Sequence, residues 1–229
     1  MEFLLQGLLQ AFRLLLSGDP ETYSAVAATV KVSTYAMAAS LLMGMPLGFV
    51  LGHLRFPGRR QARLVVDTLL SLPTVFIGLL VYAFLSRQGP LGNMGLLFTL
   101  PGIAIGQTLL ALPVVIALTA TAVESMDASL RVTLLSLGAN RRQLMRDTLW
   151  EARHGILAAA LNAYGRVTTE VGISMMVGGN IKWHTRTITT AIALETNKGM
   201  FAMGIALGLI LLLIAFGVTA AVSLLRRRQ

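Results

Sequence analysis

A narrow polar stripe runs through the apolar start of the chain. In MEFLLQGLLQAFRLLLSG, residues 1–18, the positions Glu2, Gln6, Gln10, Arg13 and Ser17 follow at steps of 4, 4, 3 and 4. Such steps keep side chains on one face of an α-helix. The pattern predicts an amphipathic interfacial helix over residues 1–22, lying at a membrane surface or packed at the edge of a bundle. A signal peptide is the rival reading, but the start has no basic segment and SGDPE is not a small-x-small cleavage site. The next break is GDPE, where Asp19 can cap a new helix with Pro20 at its first position. Five apolar spans follow, over about residues 27–52, 64–86, 102–123, 155–179 and 200–225. Each is long enough, at roughly twenty residues or more, to cross about 30 Å of hydrocarbon. The expected fold class is an all-α integral membrane protein of five transmembrane helices plus the N-terminal helix.

Composition agrees with the pattern. Hydrophobic residues make up 55% and charged ones 13% of the 229, with a mean hydropathy of +0.72. That is too apolar for an ordinary soluble domain, and no polar segment is long enough to form a second one. The net charge of +9 is therefore read as orientation in a bilayer and not as affinity for nucleic acid. Arg55, Arg59, Arg60 and Arg63 lie in one inter-span loop, and Arg131, Arg141, Arg142, Arg146 and Arg153 in another; Arg226, Arg227 and Arg228 end the chain. The opposite side has only Arg13, Arg87, Lys182, Arg186 and Lys198, while Lys31 and Arg166 fall inside spans. The positive-inside rule puts the first group in the cytoplasm, with the N-terminus outside and the C-terminus inside.

Several chemistries are excluded. There is no cysteine, hence no disulfide, thiolate metal site or thiol catalysis. His53, His154 and His184 are scattered, and adjacent Met175 and Met176 point to different helix faces, so no metal site is expected. No G-x-x-x-x-G-K-[ST] loop and no Ser/His/Asp constellation occurs. The chain is expected to be no enzyme and to bind no cofactor, with energy supplied by a partner.

One loop on the basic side is long, MDASLRVTLLSLGANRRQLMRDTLWEAR, within about residues 124–152. Gly138 can stop one helix in the left-handed region, and Asn140 can cap the next. That helix puts Leu144, Met145, Thr148 and Leu149 on one side and Arg141, Arg142 and Arg146 on another. It is either a docking helix for a partner or a solvated basic loop.

This stretch resembles the coupling loop of ABC-importer permeases. Gly138 matches the family's glycine and LGANRRQLMRDTL its surroundings, with Val132, Thr133 and Leu134 in place of Glu-Ala-Ala and Glu151 in place of a proline. SLPTVFIGLLVYAFLSRQGPLG (71–92) and GQTLLALPVVIALTATAV (106–123) resemble blocks of the oxyanion permeases. EVGISMMVGGNI with TRTITTAIALETNKGMFAMGIALGLILLLIAF (170–216) most resembles the tungstate-type permeases, relatives of the molybdate type. The resemblance implies a type I permease domain over residues 23–229, similar to the methionine and molybdate permeases, in a homodimer in the cytoplasmic membrane. It implies two separate ABC ATPase subunits below, carrying ATP and Mg, and an extracytoplasmic oxyanion-binding protein above. It also implies contact with the ATPase through Gly138, Ala139, Asn140, Arg141, Arg142, Leu144 and Met145. The substrate so implied is a tetrahedral oxyanion, tungstate first and molybdate or another as the alternative. A secondary transporter is the alternative class; only Asp67 and Glu170 could couple an ion there.

Span four carries the candidate path. Glu170 stands one helical turn after Arg166, so the two charges either neutralise each other or border the conduction path. Asn162, Tyr164, Thr168, Thr169 and Ser174 make this the most polar span. Gly178, Gly179 and Asn180 end it. Beyond lie Lys182, Arg186 and a threonine cluster, Thr185, Thr187, Thr189 and Thr190. These form either an outer gate at a helix N-terminus or a packed re-entrant turn.

Overall fold

The computed structural model describes residues 2–125, 136 and 138–227, with the side chains of 2–4, 15, 141 and 221–227 outside the description. The described helices are α1 (Glu2–Ser17), α2 (Pro20–His53), α3 (Arg59–Leu70), α4 (Thr74–Leu85), α5 (Leu100–Glu124), α6 (Arg141–Glu151), α7 (Arg153–Thr168), α8 (Gly172–Gly178), α9 (Ile188–Asn197) and α10 (Phe201–Arg227).

α2 starts where GDPE predicts. The Asp19 carboxylate accepts from the Thr22 N–H at 2.8 Å and from the Thr22 hydroxyl at 2.6 Å, and Pro20 opens the helix. α2 and α5 pack along their lengths because Gly44, Gly48 and Gly52 face α5. A Cβ on Gly48 would stand 2.6 Å from the Ile116 carbonyl oxygen, and one on Gly52 would stand 2.7 Å from that of Ala120. Small residues four apart allow this approach of backbones. Ala36 and Met37 of α2, Ala111, Val114 and Val115 of α5, and Ala163 and Val167 of α7 form the central cluster. A second cluster joins α4, α5 and α8 through Ile77, Val81, Leu110, Ile173 and Val177. A third joins α2, α9 and α10 through Ala25, Ile188, Ala191, Leu207 and Ile210. α1 lies on α10, where a Cβ on Gly7 would meet Ile205 Cγ2 at 2.6 Å.

Two of the five expected spans are not single helices. Three described helices are long and apolar enough to cross a membrane, at Pro20–His53, Leu100–Glu124 and Phe201–Ala220. The span expected at 64–86 is α3 and α4, bent by 96°. Pro73 has no N–H to continue the α3 ladder and biases Leu72 away from helix, so Pro73 starts α4 instead. The span expected at 155–179 is broken between α7 and α8. Both breaks fall where polar side chains or turns take up the freed backbone groups, as irregular backbone at membrane depth requires.

Candidate translocation and coupling sites

The break at 169–171 is built from its own polar residues. Thr168 and Thr169 end α7 by donating hydroxyls to the carbonyls of Tyr164 at 2.8 Å and Gly165 at 3.0 Å. The chain then turns, and the Glu170 carboxylate accepts from the Ile173 N–H at 3.1 Å, capping the start of α8. The Glu170 carbonyl accepts from the hydroxyls of Ser174 at 3.3 Å and Thr189 at 3.0 Å. Gln107 of α5 donates to the Ser174 hydroxyl at 3.3 Å. Glu170 is thus 7% exposed yet tied to α8 directly and to α9 through its backbone.

The expected Arg166–Glu170 ion pair is absent among the described residues. It required an uninterrupted helix through residue 170. α7 stops at Thr168, so the carboxylate turns to α8, while the exposed Arg166 donates to the Leu70 carbonyl at 3.4 Å. The other candidate acid of span two, Asp67, pairs with Arg63 at 3.4 Å. Arg59 and Arg63 also hold Glu124, at 2.6 and 3.5 Å, which closes α3 onto the end of α5.

α8 is clamped between two glycines. A Cβ on Gly106 would sit 2.5 Å from Ile173 Cγ2, and one on Gly78 would sit 3.2 Å from Ile173 Cα. Gly178 is buried and its carbonyl accepts from the Thr185 hydroxyl. Gly179 turns the chain at φ +69 against the Phe98 ring. Asn180 also has positive φ, and its side chain accepts from Arg186 Nε at 3.2 Å.

The threonine cluster is a packed joint in the single chain. Thr187 and Thr190 form a reciprocal capping box on α9, and Thr29 of α2 accepts from the Ile188 N–H at 2.9 Å. The expected free N–H groups at this helix start are therefore taken up at Ile188 and Thr190. Thr168, Ser174, Gly178, Thr187 and Thr189 are all buried within one chain, whereas Asn162 and Arg166 on α7 and Thr169 at its C-cap are exposed.

On the basic side, Gly138 has φ +80, the left-handed turn its sequence position predicts. Ala139 follows, and Asn140 caps α6 in a reciprocal box with Gln143, at 2.9 and 2.8 Å. Leu144 departs from expectation. It and Thr148 are 7% exposed, covered by the chain itself. The outward apolar residues are Met145, Leu149 and Trp150, the last 67% exposed with the Arg153 guanidinium 4.5 Å above its ring. Arg142 is exposed beside them. Val132, Thr133, Leu134 and the Arg141 side chain lie outside the described residues.

A buried polar joint inside a membrane bundle, and a capped helix with apolar side chains facing out of it, suit a transport component driven by another protein. The family model described as "Binding-protein-dependent transport system inner membrane component" matches residues 44–229. The chain belongs to this family. It is a membrane component of a transport system, not an enzyme. The tungstate uptake system permease protein of Campylobacter jejuni is 45% identical over 94% of this chain and 90% of its own length. The molybdenum transport system permease protein of Escherichia coli K12 is 30% identical over 86% of this chain and 93% of its own. A structure of the MetNI methionine ABC transporter in an inward-facing conformation superposes with a TM-score of 0.75 at 19% identity, covering 92% of this chain and 98% of that one. This last likeness establishes the type I permease fold.

Some of the site was missed in the sequence. The Gly44, Gly48, Gly52 series was a readable signal for close helix packing. The clamp of Gly78 and Gly106 on Ile173 had no local signal, since the three residues are far apart in the chain.

Proposed function

We propose that this chain is the permease subunit of an ABC importer that carries tungstate into the cytoplasm. The observation that carries the substrate is the 45% identity to a tungstate permease across nearly the whole chain, against 30% to a molybdenum permease. In this reading two copies form a homodimer, with their N-termini outside and C-termini inside. Two ATPase subunits, carrying the ATP and Mg, dock on the cytoplasmic side, and an oxyanion-binding protein docks outside.

A path between two copies has to be lined by side chains that a single copy leaves exposed. Asn162, Arg166 and Thr169 meet that condition. They offer N–H and O–H donors and one cation per copy to a tetrahedral dianion. The buried set, Thr168, Glu170, Ser174, Gly178, Thr187 and Thr189, holds α7, α8 and α9 in place behind that lining. Gly179 and Asn180 shape the outer mouth. A moderate cationic field without a deep well lets the anion leave again. Outward Met145, Leu149, Trp150 and Arg142 form the ATPase contact, with Gly138, Ala139 and Asn140 setting the angle of α6 and Leu144 anchoring it from within.

The test has two arms. The cognate binding protein is expected to retain tungstate in preference to molybdate in titration calorimetry; preference for molybdate overturns the substrate assignment. Arg166→Gln is expected to lower transport by about tenfold or more, the loss of one charge-assisted contact, without changing the yield of folded protein. Full transport by that variant removes Arg166 from the path.

A further inference from the structure

We propose that Trp183, held out by the 179–187 loop, is the anchor on which the extracytoplasmic binding protein docks. The inference rests on the reading above that such a protein meets the outer face, and it names the place. The family is binding-protein-dependent, so some part of that face has to receive the binding protein. The loop lies at the end of the bundle away from the basic loop between α2 and α3. Gly179 packs against Phe98, just before the start of α5, whereas Arg59 and Arg63 close on Glu124 at the far end of that helix.

The backbone is built to display a side chain. Asn180 has φ +51 and Trp183 has φ +65. The left-handed region is ordinary for Asn, but for a bulky residue it is an outlier that the surroundings have to enforce. They do so with a dense set of bonds. The Ile181 carbonyl accepts from the N–H groups of His184, Thr185 and Arg186, at 3.1, 3.0 and 3.0 Å. The Thr185 hydroxyl accepts from the Ile181 N–H at 3.1 Å and donates to the Gly178 carbonyl. Arg186 donates to the Asn180 side chain at 3.2 Å, and Glu21 at the start of α2 holds both Arg186 and Lys182. The charges thus fix the loop, and the indole is left outside it. Trp183 is 57% exposed, and its ring contact among the described residues is the Lys182 amine, 5.3 Å from the centroid. A rigid aromatic side chain loses little freedom on binding, and Trp is enriched among the residues that carry interface energy.

Lipid is the competing occupant, since Trp also gathers at membrane interfaces. Two observations favour a protein. A ring that only settles among headgroups needs no enforced left-handed backbone. Its neighbours Ile181, Lys182 and His184 are all exposed. They give an aromatic centre with a mixed polar rim, the make-up of a protein interface. The anchor is also joined to the elements behind the path. Gly178, bonded to Thr185, ends α8, and Glu170 caps the start of α8. Thr187 ends the loop and caps α9. Docking on Trp183 therefore loads both short helices.

The experiment uses the full complex, this chain with its ATPase partner in lipid nanodiscs. The cognate binding protein, loaded with its oxyanion, is titrated against ATP hydrolysis. Wild type is expected to be stimulated. Trp183→Ala is expected to raise the half-stimulating concentration by about tenfold or more, the loss of one aromatic anchor. Trp183→Gly relieves the left-handed backbone and so separates display from folding. It should match wild type in folded yield yet dock as poorly as Trp183→Ala. Tyr35→Ala, at another exposed aromatic on α2, should leave the half-stimulating concentration unchanged. A photoreactive phenylalanine analogue at position 183 should cross-link to the binding protein. Stimulation of wild type with an unchanged half-stimulating concentration in Trp183→Ala would overturn the anchor and leave the importer reading intact. So would cross-links from position 183 to lipid alone with the binding protein present. No stimulation of wild type would overturn both.

Discussion

Glu170 is held in an apolar stretch by a backbone donor and makes no ion pair among the described residues. Its carboxylate accepts from Ile173, and its carbonyl ties α8 to α9 through Thr189. The spacing to Arg166 suggested an ion pair, and that inference failed for a definite reason. A spacing of four brings side chains together only where the helix is unbroken, and the break at Thr169 was not readable from composition. The two residues should therefore behave independently. Glu170→Ala is expected to cost about 0.5–2 kcal/mol as a lost helix cap, and Glu170→Gln less, because its amide oxygen still accepts. The effects of Arg166→Gln and Glu170→Gln should add within about 0.5 kcal/mol. Thermal unfolding of the purified chain measures this; rescue of Glu170→Gln by Arg166→Gln would restore the ion-pair reading.

At the level of elements, three of the five expected spans were legible as continuous helices, and the breaks in the other two were not. Pro73 ends α3, yet Pro46 and Pro113 sit inside the continuous helices α2 and α5. A proline thus marks a possible break, and tertiary partners decide whether the helix stops there. The α6 start was fully legible, because a glycine in the left-handed region and an Asn cap act locally. The face proposed for docking was only half legible as an exposed one. Helical spacing grouped Leu144 with Met145, Thr148 and Leu149, but which edge of that face the chain covers is a tertiary matter. The variants separate the edges. Met145→Glu and Leu149→Glu should leave folded yield unchanged while abolishing capture of the partner ATPase and its stimulation. Leu144→Glu should lower folded yield itself, by burying a charge. Gly138→Val should tilt α6 and uncouple the complex with the spans intact, since a β-branched residue is strained at φ +80. Normal stimulation in Leu149→Glu would move the contact elsewhere.

For the whole molecule, charge predicts orientation and the membrane fold predicts dependence on partners. Arg59, Arg63, Asp67 and Glu124 gather the basic loop against the end of α5, the end that the positive-inside rule expects in the cytoplasm. Reporter fusions after Gln229 and within residues 88–98 should report inside and outside respectively; the reverse labelling would invert every assignment of side made above. The central claim is that this chain imports tungstate on energy supplied by a separate ATPase. Uptake of radiolabelled tungstate into proteoliposomes tests it most directly, with this chain, its ATPase partner and the loaded binding protein present and ATP enclosed on the ATPase side. The account predicts accumulation that stops when ATP, the ATPase or the binding protein is left out, and that excess sulfate does not suppress. Tungstate accumulation driven by an ion gradient in the absence of the ATPase, or none with all components present, would contradict it.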